Sequence, residues 1–258
     1  MSWALYLLVV AAGFMAGIVN TLAGSGSLIT LPVLILLGLP ANVANGTNRV
    51  GIVLQNIVAG ASFRRSRMLD LRGALLLCVP AVFGSILGAQ IAVNLNEELM
   101  QRVIGAVMVL MLFVIVLRPQ RWLQGKLQNL PGGFNWQQAL TLFVIGMYGG
   151  FIQAGVGIFL LAALVLSVGY DLVRANAVKI IIVLAFTISS LLVFANNDQV
   201  NWGVGLLLGS GNMLGAWMAA RMAVKRGAAW VRWVLIATVA LSAAYLLGLF
   251  DMLARMLN

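Results

Sequence analysis

Ala23-Gly24-Ser25-Gly26 and Ala154-Gly155-Val156-Gly157 decide how this chain is read. They lie 131 residues apart. At the same offset Gly38 meets Gly169, and Ala44-Asn45 meets Ala175-Asn176. Further on, Gly84-Ser85-Ile86-Leu87-Gly88-Ala89 matches Gly211-Asn212-Met213-Leu214-Gly215-Ala216. One such match is weak in a chain rich in Gly and Ala. Three in the same order indicate an internal duplication, with each Gly-rich break beside a short apolar segment.

The solvent of these segments follows from composition. Of 258 residues, 62% are hydrophobic and 9% charged, and the mean hydropathy is +1.05. A soluble domain carries roughly 25% charged residues and 45–50% apolar ones. A fold of this size has too little interior to hide so much apolar surface, so lipid covers most of it. At about 20 residues per span the chain has room for roughly eight to ten helical crossings. The ten-residue alternation of a transmembrane barrel is absent from the sequence. The expected fold is an all-α polytopic membrane protein. The opening Met1-Ser-Trp-Ala-Leu lacks the positive region of a secretory signal, so the first apolar stretch reads as a retained span.

The apolar runs are Trp3–Ala23, Leu28–Leu37, Val43–Phe63, Gly73–Val93, Leu99–Leu117, Gln138–Ala154, Ile158–Val168, Ala175–Ala195, Trp202–Ala220 and Val231–Phe250. Leu28–Leu37 and Ile158–Val168 would reach only about 15–17 Å as helices, short of a roughly 30 Å core. They must end at depth or re-enter, which backbone tolerates only against protein or a water-filled cavity.

Orientation is read from the loops. Arg64, Arg65, Arg67 and Arg72 cluster in 64–72; Arg118, Arg121 and Lys126 in 118–126; Arg221, Lys225, Arg226 and Arg232 in 221–232. These eleven of sixteen basic residues place the three loops in the cytoplasm by the positive-inside rule. Asn94–Glu98 and Asn196–Val200 fall outside. The net charge of +10 is thus a topology signal rather than a nucleic-acid patch. Corresponding helices of the two halves then run in opposite directions. This predicts two inverted-topology repeats of about five segments each, residues 1–117 and 137–258, joined by a cytoplasmic linker at 118–136. Such repeats are a secondary-transporter architecture.

Two cations stand out against this frame. Asn45-Gly46-Thr47-Asn48-Arg49 and Asn176-Ala177-Val178-Lys179 each follow a short segment. Asn favours the N-cap, so each Asn is expected to open a helix whose N-terminus attracts anions. Arg49 and Lys179 follow within two turns, Lys179 in the column of Asn48. A central Lys or Arg costs about 2.5–3.5 kcal/mol to insert, and neither span holds an Asp or Glu to offset it. Snorkelling would suffice if the helices began at the surface, but the short segments before them argue for depth. Asn20, Thr21, Ser25, Gln55, Asn56, Gln153, Thr187, Ser189 and Ser190 add polar groups nearby. The candidate substrate-binding set is Asn20, Gly24, Ser25, Gly26, Asn45, Thr47, Asn48, Arg49, Gln153, Gly155, Gly157, Asn176 and Lys179. Such a set is electropositive and suits a small oxyanion, with Arg able to engage it through two donors and Lys as a point charge.

Other chemistries drop out. There is no His, which removes His-based acid–base work, His–metal sites and Ser-His-Asp triads. The single cysteine, Cys78, reads as a small buried hydrophobe. All six acids lie in loops or at segment ends, so a buried carboxylate relay or Na⁺ site is not expected. No enzyme activity and no cofactor or metal are expected.

At these residues the sequence resembles the sulfite exporter TauE/SafE family of bacterial membrane permeases. The resemblance is carried by Gly13-Phe14-Met15-Ala16-Gly17, Ala23-Gly24-Ser25-Gly26-Ser27, Leu31-Pro32 and Ala44-Asn45-Gly46-Thr47-Asn48. Gly149-Gly150-Phe151, Ala154-Gly155-Val156-Gly157 and Ala175-Asn176 echo them in the second half. It implies transport of sulfite, sulfonates or sulfoacetate-like organic anions across the bacterial cytoplasmic membrane, commonly outward. The second half replaces Gly-Thr-Asn with Ala177-Val178-Lys179, so a site built from both motifs is asymmetric. The expected partners are a small anion and the lipid bilayer, without nucleic acid, and a homo-oligomer is compatible with the reading. The alternatives are an anion channel with the same lining and a non-transport membrane scaffold.

Overall fold

The computed structural model describes residues 3–66, 68–117 and 135–246. Among them are nine α-helices: α1 (Trp3–Leu22), α2 (Ser27–Leu36), α3 (Ala41–Arg65), α4 (Leu71–Val93), α5 (Glu97–Leu117), α6 (Trp136–Phe151), α7 (Val156–Ala163), α8 (Leu172–Asn196) and α9 (Trp202–Leu246). A π-helical turn, Leu164–Val168, extends α7. Residues 118–134 of the expected linker, with Arg118, Arg121 and Lys126, lie outside the described residues.

Local chemistry sets the helix ends. Gly38, at φ +86°, stops α2 and Pro40 leads into α3. Gly169, at φ +90°, follows the π turn, and the Asp171 carboxylate then accepts hydrogen bonds from Val173 N and Arg174 N at the start of α8. Asp70 caps α4 through Gly73 N at 3.0 Å. Asn135 and Gln138 form a reciprocal capping box on α6. These caps correct the expectation that Asn45 and Asn176 open their helices. Both sit in the second turn, because Pro40 and Asp171 start α3 and α8 four to five residues earlier. Arg49 and Lys179 are therefore deeper in their helices than expected.

Glycine contacts fix how the helices lie together. On α1, Gly13 and Gly17 meet the backbone of Leu208 and Asn212 on α9; Gly211 and Gly215 meet Val10 and Phe14 in return. On α4, Gly84 and Gly88 meet Phe143 and Met147 on α6; Gly146 and Gly150 meet Ala81 and Ser85. A side chain at any of these eight positions would strike a carbonyl, so only small residues allow the approach. Residue numbers rise together across both contacts, so each pair is parallel. Val50 against Gly205 and Gly51 against Leu208 and Asn212 make α3 parallel to α9. Cys78 Sγ, buried as expected, lies 3.8 Å from Ile181 O. With Ser85 on Phe186 O at 3.1 Å, it makes α4 parallel to α8. In contrast, Gly46 meets Phe194, Arg49 meets Ser190 and Gly60 meets Ile181, so α3 and α8 are antiparallel. The result is two parallel trios, α1/α3/α9 and α4/α6/α8, which run oppositely and join along α3 and α8.

The outer faces are apolar. Leu7, Leu76, Phe83, Phe113, Leu192 and Leu214 are all exposed, as lipid-facing residues are. Three segments, Leu5–Leu22, Leu71–Val93 and Leu172–Asn196, are long and apolar enough by themselves to cross a membrane. This is fewer than the eight to ten crossings expected from composition. Part of the difference is α3, whose Asn45, Thr47, Asn48, Arg49, Gln55 and Asn56 are buried, and part is the short α2 and α7. A second correction concerns 221–232. The expected basic loop is helical, and the spans Trp202–Ala220 and Val231–Phe250 begin as one helix from Trp202 to Leu246. Ala219-Ala220-Arg221-Met222-Ala223 and Lys225-Arg226 are strong helix formers, with Gly227 the lone weak point. The basic loop at 64–72 likewise shrinks to 66–70, since Arg64 and Arg65 end α3 and Arg72 belongs to α4.

Candidate site between the two helix breaks

The two Gly-rich breaks meet. Gly24 and Gly155 adopt the left-handed conformation, at φ +80° and +72°. Gly157 N donates to Gly24 O at 3.2 Å. A Cβ on Gly24 would lie 2.5 Å from Gly157 C and closer still to its Cα. Gly26 folds back on α1, against Ala16 and Asn20. At each break one helix ends and a short one begins: α1 gives way to α2, and α6 to α7.

The cations cap the ends so exposed, each from a helix of the other half. Arg49 on α3 is fully buried. Its Nη1 donates to Gly149 O at 3.1 Å and to Ser190 Oγ at 2.7 Å. Its Nη2 donates to Gly150 O at 2.6 Å and to Phe151 O and Asn45 Oδ1 at 3.4 Å. The Phe194 ring centroid lies 4.5 Å from Cζ. Gly149, Gly150 and Phe151 are the last three residues of α6, whose terminal carbonyls have no partner within the helix. On α8, Lys179 Nζ donates to Asn20 O at 3.1 Å and Thr21 O at 3.0 Å, near the end of α1. A helix C-terminus carries about half a negative charge, so each cation is offset only in part. Among the described residues the ion pairs are Arg102–Glu98 and Arg174–Asp171. Neither involves Arg49 or Lys179.

The remaining predicted residues divide. Asn45 Nδ2 donates to Phe151 O at 2.8 Å and so shares the cap with Arg49. Asn48 ties α3 to α2, accepting from Thr30 Oγ1 at 2.7 Å and donating to Ser27 Oγ at 3.1 Å. Thr47 turns away, with its Oγ accepting from Asn201 N at 2.8 Å beyond α8. Asn20 Nδ2 donates to Gln55 Oε1 at 3.2 Å. Gln153 Nε2 donates to Thr187 Oγ1. Ser25 Oγ, Thr21 Oγ1 and both amide atoms of Asn176 are buried without a hydrogen-bond partner, as are Gln153 Oε1 and Asn56 Nδ2. Sequence reasoning missed Phe194, Ser27 and Thr30. Phe194 lies one turn after Ser190 on α8, a spacing visible only once Arg49 is known to reach Ser190.

The halves also meet at their loops. Tyr170 Oη donates to Asp70 Oδ2 at 2.7 Å, linking the α3–α4 turn to the approach to α8. This bond, with that from Gly73 N, holds the Asp70 carboxyl below its ordinary pKa. Burial, then the same bond and the carboxylate's charge, push the Tyr170 phenol above its own.

The described residues hold no cluster of three or more His, Cys, Asp or Glu that would bind a metal. Residues 9–246 match the family described as "Sulfite exporter TauE/SafE". The "Probable membrane transporter protein" of Haemophilus influenzae is 26% identical over 220 residues, covering 85% of this chain and 86% of its own. The "Probable membrane transporter protein ORF9" of a Sinorhizobium species is 26% identical over 226 residues, 87% and 85% of the two chains. The "Probable membrane transporter protein YfcA" of Escherichia coli K12 is 26% identical over 237 residues, 90% and 86%. No solved structure matches. The chain belongs to the sulfite exporter TauE/SafE family and is a membrane transporter, not an enzyme.

Proposed function

We propose that this transporter carries small sulfur-containing oxyanions, such as sulfite, sulfonates or sulfoacetate-like anions, outward across the bacterial cytoplasmic membrane. The observation that supports it most is the pair of buried cations, Arg49 and Lys179, offset by helix C-termini and, among the described residues, by no carboxylate. Two full charges against two partial ones leave the region between the breaks electropositive. A monovalent anion leaving a negative-inside cell gains about 2.3 kcal/mol per 100 mV, so export needs no co-ion.

The mechanism we infer is alternating access between two inverted repeats, 1–117 and 137–258. In support, the glycine contacts of α1 with α9 mirror those of α6 with α4, α3 runs parallel to α9 as α8 does to α4, and α3 opposes α8 in direction. Each half also caps the broken helix of the other. On this reading the basic stretches 64–72, 118–126 and 221–232 face the cytoplasm. Cysteines placed at Arg64 and Asn197 are then labelled from opposite sides of the membrane. Labelling from one side would sink the inversion.

The direct test is radiolabelled sulfite flux from proteoliposomes under an imposed potential. Saturable, potential-driven flux with counterflow is expected. Flux that rises linearly with concentration, without counterflow, would replace the carrier by a channel. Absence of flux for sulfite, sulfoacetate and other sulfonates would remove this substrate class.

A further inference from the structure

The two breaks resemble each other in backbone but not in how their polar groups are used. At the α6–α7 break the donors aimed at the helix end are engaged: Arg49 Nη1 and Nη2 on carbonyls and Ser190, Asn45 Nδ2 on Phe151 O, and Gln153 Nε2 on Thr187. Arg49 Nε and Gln153 Oε1 have no partner among the described residues. At the α1–α2 break Asn20 Nδ2 is engaged with Gln55 Oε1, but more of the polar groups are free. Lys179 Nζ uses two of its three donors, on Asn20 O and Thr21 O. Thr21 Oγ1, Ser25 Oγ and the Asn176 amide have no partner, although Thr21 and Asn176 are 0% exposed and Ser25 2%. Buried polar groups are nearly always hydrogen-bonded, so these three side chains need an account. Asn176 lies three residues before Lys179 on α8, hence on the same face. Thr21 supplies one of the ammonium's acceptors, and Ser25 directly precedes the uncapped start of α2 at Gly26.

The sequence carries the same asymmetry. At the offset of 131, Thr21 and Ser25 face Ile152 and Val156, which can donate nothing. Asn45, the equivalent of Asn176, is spent on the α6 cap. Asn48, the equivalent of Lys179, is spent on Ser27 and Thr30 of α2.

Resting on the anion-transport reading above, we infer that the anion is bound on one side only, by Lys179, Asn176, Thr21 and Ser25 at the α1–α2 break. Arg49 then positions the other half and does not touch the substrate. An ammonium, two hydroxyls and an amide suit a compact oxyanion with several oxygens, such as sulfite, and not a halide.

The test measures half-saturation of sulfite export, and sulfite-induced thermal stabilisation in detergent, for Thr21→Val, Ser25→Ala and Asn176→Ala. Gly105→Ala on α5, where no atom lies within 4 Å of the added methyl, is the control. A lost hydrogen bond to a charged group predicts at least a tenfold rise in half-saturation for each of the three. Their unfolding midpoints without sulfite stay at or above wild type, because each substitution removes an unpartnered buried group. Excess chloride leaves wild-type stabilisation by sulfite intact. Normal wild-type export with unchanged half-saturation in all three variants overturns the one-sided site and spares the transport reading. Chloride competing as well as sulfite overturns the oxyanion geometry. A wild type that neither exports nor is stabilised by any oxyanion overturns both readings together.

Discussion

Gly24 and Gly157 should be among the least replaceable residues of the chain, and the structure separates two reasons for it. An alanine at 24 meets both. Its Cβ would lie 2.5 Å from Gly157 C, where ordinary contact begins at 3.4 Å, so two backbones must part by about 1 Å. Overpacking of this kind costs roughly 1–3 kcal/mol. Its φ of +80° adds about 1–2 kcal/mol for a residue with a Cβ. Gly157→Ala carries the packing cost alone, at roughly 1–3 kcal/mol. Gly38→Ala carries only the conformational one, about 1–2 kcal/mol, because φ is +86° and nothing lies within 4 Å. Gly105→Ala carries neither, and should stabilise α5 by roughly 0.5–1 kcal/mol. The expected order of unfolding midpoints is Gly105→Ala above wild type, then Gly38→Ala and Gly157→Ala, and Gly24→Ala lowest. Thermal unfolding of the purified protein in detergent micelles, followed by size-exclusion monodispersity, reads that order. Gly24→Ala unfolding together with Gly38→Ala would show that the breaks do not cross backbone to backbone, and the site argued from that crossing would go with it.

Three further outcomes follow from contacts already described. Arg49→Met strips Gly149, Gly150 and Ser190 of their donor and leaves Phe151 O to Asn45, and Lys179→Met strips only Asn20 and Thr21. At about 1–3 kcal/mol per orphaned buried acceptor, partly regained by relaxation, Arg49→Met should destabilise the more; the reverse order in thermal unfolding would refute the capping role. Ser85→Ala removes bonds to Phe186 O and Ser189 Oγ between α4 and α8, an interhelical contact worth roughly 0.6–1.7 kcal/mol in a membrane protein, and unchanged stability would count against it. Tyr170→Phe breaks the bond to Asp70, and its effect should depend on pH at both ends. The Asp70 carboxyl is held low in the fold, so its contribution is lost as pH falls through that lowered value, below the ordinary ~3.9. The Tyr170 phenol is held high, so above about pH 10 the unfolded chain ionises first and stability falls. The gap between wild type and Tyr170→Phe should be level from about pH 5 to 9 and close outside it; a gap rising through pH 7 would contradict the assignment.

Much of this was legible in the sequence because the signals were local. The short segments, the left-handed Gly24 and Gly155, and the small-residue faces at Gly84/Gly88 and Gly211/Gly215 each declare themselves within a few residues. So did the burial of Arg49 and Lys179, since the spans offer neither an acid nor a nearby surface. What they contact was not legible. Their acceptors are backbone carbonyls 100 and 158 residues away, and a carbonyl has no residue code. The expected N-caps at Asn45 and Asn176 failed for a related reason. Asn favours caps on average, but Pro40 and Asp171 open the two helices one turn earlier, and inside the helix Asn45 finds an acceptor on α6. The basic stretch 221–232 is helical because charge alone does not end a helix, and Arg, Lys and Ala extend one.

The crossed capping also sets an order of events during synthesis. When Lys179 emerges, its acceptors at Asn20 and Thr21 have long been made. Arg49 emerges 100 residues before Gly149, and at 5–20 residues per second that is a wait of roughly 5–20 s. Through that interval the nascent first half must keep a guanidinium hydrated, at the insertion machinery or in a water-filled defect. Until the end of α6 arrives, an inserted α3 bears the cost of an uncapped central Arg, about 2.5–3.5 kcal/mol. The first half holds a vacant place for the second, and a chain halted between the two would leave the membrane with an uncapped arginine, a natural mark for quality control.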